Sequence, residues 1–114
     1  MTTAADVAVE LHGATVVARL AGEVDMTNAG YVHDQLVRAV PNGASALVID
    51  LTATRYLDSA AIALVFDLAK RLRRRRQALR IVLPAGSPLE RVLTLTEVGS
   101  VAPIHGSLES ALAG

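Results

Sequence analysis

At 114 residues and 11.9 kDa the chain has the length of one domain, which runs to about 100–150 residues, and residues 1–114 are read as a single domain rather than a two-domain enzyme. Fifty-two per cent of residues are hydrophobic and 19% charged, enough for a buried core and outside the low-hydrophobicity signature of disorder. Eleven Lys and Arg offset eleven Asp and Glu, so no global charge draws the chain to nucleic acid or an anionic membrane, and any charged partner must be recognised locally.

In chain order, Val7-Ala8-Val9-Glu10-Leu11 and Thr15-Val16-Val17-Ala18-Arg19-Leu20 flank His12-Gly13 and predict an antiparallel hairpin, with Gly supplying the positive φ of a tight turn. Gly22-Glu23-Val24-Asp25 leaves the second strand. Thr27 or Asn28 offers a cap for a helix whose apolar positions Val32, Leu36, Val37 and Val40 recur at helical spacing, and Pro41-Asn42-Gly43 ends it. Ala46-Leu47-Val48-Ile49 predicts a central strand that exits through Asp50-Leu51-Thr52, with Ala53 to Leu57 as a connector. Asp58 or Ser59 then offers an N-cap oxygen for the longest helix, Ala60 to about Gln77, which has no internal Gly or Pro. Its stripe of Ala61, Val65, Leu68 and Leu72, flanked by Ile62, Leu64 and Ala69, is core.

Leu79 to Leu83 predicts a further strand closed by Pro84-Ala85-Gly86. Ser87-Pro88 opens a helix through Val92, Leu93 and Leu95 that Gly99 terminates. Val101 to Ile104 is a short last strand, confined to an edge or a strand end by Pro103, and Ser107 caps a brief C-terminal helix. The order β-β-α-β-α-β-α-β-α predicts an α/β fold: a mixed sheet, parallel in its later part, packed with about four helices.

Chemistry is sparse. With no cysteine the chain has no disulfide, thiolate nucleophile or thiolate metal site, and it fits a reducing compartment. The start, Met1-Thr2-Thr3-Ala4-Ala5-Asp6, lacks the basic and apolar regions of a secretory signal, and Ala60 to Phe66 is too short to span a bilayer; a cytoplasmic protein without membrane insertion is expected. His12, His33 and His105 have no metal-ligand spacing, the glycines form no phosphate-binding loop, and Ser59 lacks the glycines of a nucleophile elbow. No cofactor, metal or enzymatic activity is expected. Tyr31, Tyr56 and Phe66 are too few to suggest base stacking. Asp50 at a strand end has no lysine partner of the kind a phosphoacceptor site needs, since Lys70 lies in the wrong helix. Lys70 to Arg76 holds six of the eleven basic residues and reads as a solvated helix end.

Gly22-Glu23-Val24-Asp25, Asp50-Leu51-Thr52-Ala53 and Leu57-Asp58-Ser59, in that order and spacing behind an initial hairpin, resemble the STAS family of anti-sigma-factor antagonists over roughly Val7 to Leu112. The resemblance implies a binding module that captures an anti-sigma factor, often a serine kinase, and so releases a sigma factor. It implies Ser59 as the phosphoacceptor and a partner-binding surface of Glu23, Asp25, Thr27, Asp58, Ser59, Ala60 and Ile62. On residues alone, Ser59 reads as an ordinary N-cap worth about 1 kcal/mol, and Asp25 reads equally as a turn former. Phosphate adds about −1.5 to −2 charges beside Asp58, partly offset by the free N–H groups of a helix N-terminus, so its penalty is expected in the complex. Where the family commonly follows the acceptor with a hydroxyl residue and glycine, this chain has Ala60 and Ala61: either the helix begins regularly there or the approach of a partner backbone changes. The alternative implied by the same fold is a constitutive STAS subunit of a signalling scaffold or lipid-transport complex. The oligomeric state is left open between monomer and homodimer.

Overall fold

The structure, a computed structural model, describes residues 4–114; Met1, Thr2 and Thr3, which open the segment read as lacking a secretory signal, lie outside the described residues. A five-stranded sheet carries the strands in chain order, β1 (Ala5–His12), β2 (Thr15–Val24), β3 (Ala46–Leu57), β4 (Ala78–Val82) and β5 (Ile104–His105). β1 and β2 are antiparallel across the Gly13 turn, where φ is +63°, and every later pairing is parallel.

Each parallel step advances the sheet in the same direction, so right-handed crossovers lay their helices on one face. α1 (Ala29–Ala39), α2 (Ser59–Arg74) and α3 (Glu90–Leu95) pack there. Alternation within the strands then decides two cores. Val16, Ala18 and Leu20 of β2, Leu47, Ile49 and Leu51 of β3, and Leu79 and Ile81 of β4 face the three helices and meet the whole predicted stripe of α2. On the opposite face Val17, Val48 and Val82 are covered by the short α4 (Leu108–Ala113) through Leu108, Ala111 and Leu112. The rest of that face carries the ion pairs of Arg19 with Glu10 (2.8 Å) and Asp50 (3.7 Å).

The predicted order of elements is the observed one, and the differences lie at their ends. β2 runs on to Val24, and β3 runs through Ala53–Leu57, which the sequence reading left as a connector. β3 has twelve residues against ten in β2, and the ladder absorbs the excess in two register shifts, between Arg19 and Ala21 and between Gly22 and Glu23. Past the continuously buried Ala46–Leu51, bulging sets the buried positions of β3 at Leu51, Thr54 and Leu57, every third residue, which hides this stretch from a period-two reading. Buried Thr54 donates its hydroxyl to the Leu20 carbonyl at 2.6 Å and fastens the bulged stretch to β2. Gly22 sits at φ +99°, where a Cβ would lie 2.5 Å from the Ala4 carbonyl oxygen, so only glycine fits.

α2 stops at Arg74 rather than near Gln77 because Arg76 adopts φ +59° and Gln77 turns its amide to the carbonyls of Pro41 and Ala44, both at 2.9 Å. α3 starts after a turn in which Ser87 Oγ accepts the Leu89 N–H, and it ends before Glu97, at φ +58°, not at Gly99. Gly99 lies in a 3-10 turn, Val98–Ser100, whose Val98 carbonyl takes the N–H groups of Val101 and Ala102. The last strand is thereby displaced to Ile104–His105. Ser107 caps α4, as its sequence position suggests, by accepting the Ser110 N–H at 3.1 Å.

Candidate functional site

The C-terminal ends of β2 and β3 and the N-terminus of α2 meet at one end of the sheet, and Asp58 joins them. Its N–H donates to the Val24 carbonyl at 3.2 Å, so β3 leaves the sheet directly beside the end of β2. Its carboxylate Oδ1 accepts the N–H groups of Ala60 (2.9 Å) and Ala61 (3.1 Å), which makes Asp58 the N-cap of α2. Its Oδ2 accepts the Met26 N–H at 2.9 Å, which fastens the loop between β2 and α1 to the start of α2.

That loop is also braced from within. Asp25 Oδ1 accepts from both the N–H (2.9 Å) and the hydroxyl (2.5 Å) of Thr27. Asn28, buried at 6% exposure, accepts the Asp25 N–H through Oδ1 at 3.0 Å and donates through Nδ2 to the Glu23 carbonyl at 2.9 Å. The Asn28 side chain does not cap α1; its amide braces the loop instead. Asp25 is therefore a turn former at the same time as it lies beside the α2 start.

Ser59 is the first residue of α2, is exposed, and its hydroxyl has no hydrogen-bond partner among the described residues. The cap is Asp58, so the choice left open between Asp58 and Ser59 falls on the carboxylate and leaves the hydroxyl available. Ala60 and Ala61 do not distort the helix: neither has positive φ, and α2 begins regularly. The offset expected from free N–H groups is smaller than the sequence suggests. Those of Ala60 and Ala61 are held by Asp58, and that of Ile62 by the Asp58 carbonyl at 3.1 Å. A phosphate on Ser59 would face the Asp58 carboxylate with those donors already occupied.

Of the sequence-derived surface, Glu23, Asp25, Thr27, Asp58, Ser59 and Ala60 gather at this end with at least partial exposure. Ile62 is only 8% exposed and packs into the main core, so it supports the helix from beneath instead of offering contact surface. Two residues absent from the sequence-derived surface join the site: Met26, 80% exposed and tied to Asp58, and Tyr56, 50% exposed and in register with Glu23 at the end of β3. A large apolar side chain set among Asp25, Thr27 and Asn28 is the one signal that pointed to Met26. Asp50 lies away from Ser59, on the α4 face, with its Oδ1 held by the Thr52 N–H and hydroxyl. The basic run begins at Lys70, about 17 Å along α2 from Ser59 at 1.5 Å per residue, continues past its end, and is solvated except for Arg75, which pairs with Asn42.

A model of the STAS domain matches residues 6–111. The chain belongs to the STAS domain family. The anti-sigma-F factor antagonist RsfA of Mycobacterium tuberculosis is 27% identical over 106 residues, which cover 91% of this chain and 82% of that protein. A crystal structure of an anti-sigma factor antagonist from Mycobacterium paratuberculosis superposes with a TM-score of 0.85 at 25% identity, covering 96% of this chain and 92% of the other. The Bacillus cell fate determinant SpoIIAA in its phosphorylated form, at 22% identity, shares the fold with a TM-score of 0.66 over 95% of this chain and 97% of its own. Among the described residues of this STAS domain, no helix is long and apolar enough to cross a membrane.

Proposed function

We propose that this STAS domain is an anti-sigma factor antagonist without enzymatic activity, which holds an anti-sigma factor with the end of the fold formed by residues 25–28 and the start of α2. Phosphorylation of Ser59, by a partner that is itself a serine kinase, releases it. The names of the two mycobacterial relatives support the antagonist reading. The observation that carries the switch is the free, exposed Ser59 hydroxyl beside a carboxylate whose three side-chain bonds hold the local structure together. A phosphate of about −1.5 to −2 charges there meets Asp58 at close range, and burying it in a complex loses its hydration. Each 1.4 kcal/mol of that penalty weakens the complex about tenfold.

The second reading is a constitutive subunit of a signalling scaffold or lipid-transport complex, and Ala60 and Ala61 in place of the family's hydroxyl and glycine favour it. One experiment separates the two. The unmodified domain and the domain phosphorylated at Ser59 are used to retain proteins from source-cell lysate, and the two sets are compared by mass spectrometry. A kinase-like anti-sigma factor held by the first and lost from the second supports the switch. Identical sets would leave Ser59 without a switching role and favour the constitutive subunit.

A further inference from the structure

β1 is an edge strand of eight residues, Ala-Asp-Val-Ala-Val-Glu-Leu-His, with no lysine, no proline and no bulge, and its only acidic residues are Asp6 and Glu10. The phase of its ladder follows from one bond. Glu23 N–H donates to the Ala4 carbonyl at 3.2 Å, in step with the pairing of Ala5 with Gly22. Antiparallel pairs alternate between bonded and non-bonded, so Asp6, Ala8, Glu10 and His12 turn their backbone groups to β2. Val7, Val9 and Leu11 turn theirs outward to the open edge. The side chains of Val9 and Leu11 are exposed as well, at 48% and 69%.

We propose that this edge pairs with the same edge of a second copy, antiparallel about a two-fold axis at Val9, to form one continuous ten-stranded sheet. The side chains choose the partner and the register. With Val9 opposite Val9 of the second copy, Val7 faces Leu11, Ala8 faces Glu10, and Asp6 faces His12. Each of the three outward-facing pairs exchanges two backbone bonds, the apolar side chains meet on one face, and an acid meets a base at both ends of the other. Moving the axis to Ala8 sets Asp6 against Glu10, and moving it to Glu10 sets two copies of Glu10 against each other. Both shifts put like charges directly opposite, which destabilises a sheet pair. The strands run in opposite directions, so the two Ser59 ends stand at opposite ends of the joined sheet and stay open to their partners.

The full chain is to be followed by sedimentation equilibrium over a concentration series, with hydrogen exchange at dilute and concentrated ends. The expected result is a species of twice the 11.9 kDa chain mass whose formation slows exchange at the Val7, Val9 and Leu11 amides by about tenfold or more. V9P removes an outward N–H that β2 does not use, so it should leave the chain folded and monomeric. H12D sets Asp against Asp and should weaken the dimer about tenfold, and the swap D6H with H12D should restore it. A monomer up to about 1 mM overturns the proposal. So does a dimer that leaves the three amides exchanging as in the monomer, a V9P dimer of unchanged affinity, or a swap that fails to recover what H12D loses.

Discussion

Replacing Asp58 tests the account of the site most directly, because one carboxylate fastens three segments: the end of β3, the start of α2 and the loop at Met26. Asp58→Ala removes the N-cap of α2, a loss of about 1 kcal/mol. It also removes the charge-assisted bond to the Met26 N–H, for which about 1.5 kcal/mol, the low end of the range, is appropriate because Met26 is exposed and water can replace part of the bond. The expected destabilisation is about 2.5 kcal/mol, or a fall in Tm of about 10 °C for a domain of this size. Asp58→Asn separates the two roles. Its remaining oxygen can still cap Ala60 and Ala61, while its amide nitrogen cannot accept from Met26, so about 1.5 kcal/mol should be lost. Urea and thermal unfolding followed by circular dichroism give both values, and hydrogen exchange at Met26, Ala60 and Ala61 locates the loss. If Asp58→Ala changes stability by less than about 0.5 kcal/mol, or if Asp58→Asn equals Asp58→Ala with Ala60 and Ala61 unprotected in both, the capping account is refuted.

Ser59→Ala should leave stability within about 0.5 kcal/mol of the parent in the same unfolding assay, since its hydroxyl holds nothing; a loss above 1 kcal/mol, about the worth of a cap, would make Ser59 structural. Gly22→Ala should lose about 1–3 kcal/mol because the new Cβ meets the Ala4 carbonyl at positive φ, and an unchanged Tm would mean that the close approach of Ala4 to Gly22 is not as described. Thr54→Val keeps the shape of the side chain but removes its hydrogen bond to the buried Leu20 carbonyl. It should lose about 1 kcal/mol on urea titration, and a neutral result would remove the 2.6 Å bond from the account.

The pattern of residues was sufficient for the long regular elements. The stripe from Ala61 to Leu72 repeats at helical spacing whether or not anything packs on it, and it is buried throughout. The hairpin was legible because Gly13 permits a turn that few residues adopt. The extension of β3 was not legible, because its burial period is imposed by two bulges against a shorter neighbour, and a bulge exists only between strands. The boundaries of α3 and β5 shifted for a related reason: the chain there is ordered by left-handed Glu97 and the 3-10 turn after it, neither of which the residue types announce.

The site divides along the same line. Sequence by itself placed Ser59 after an acidic residue at the head of the longest helix, and set Asp25 and Thr27 on the loop that precedes α1, because caps and turn formers are local in the chain; Glu23, read as leaving the second strand, proved to lie within β2. Only the tertiary structure decided between the two possible caps, since the choice depends on which oxygen lies within reach of Ala60, Ala61 and a Met26 amide 32 residues earlier in the chain. It also decided that Ile62 belongs to the core while Met26 and Tyr56 belong to the surface. Exposure is settled by what packs on a residue, and for these three the neighbours come from distant parts of the chain.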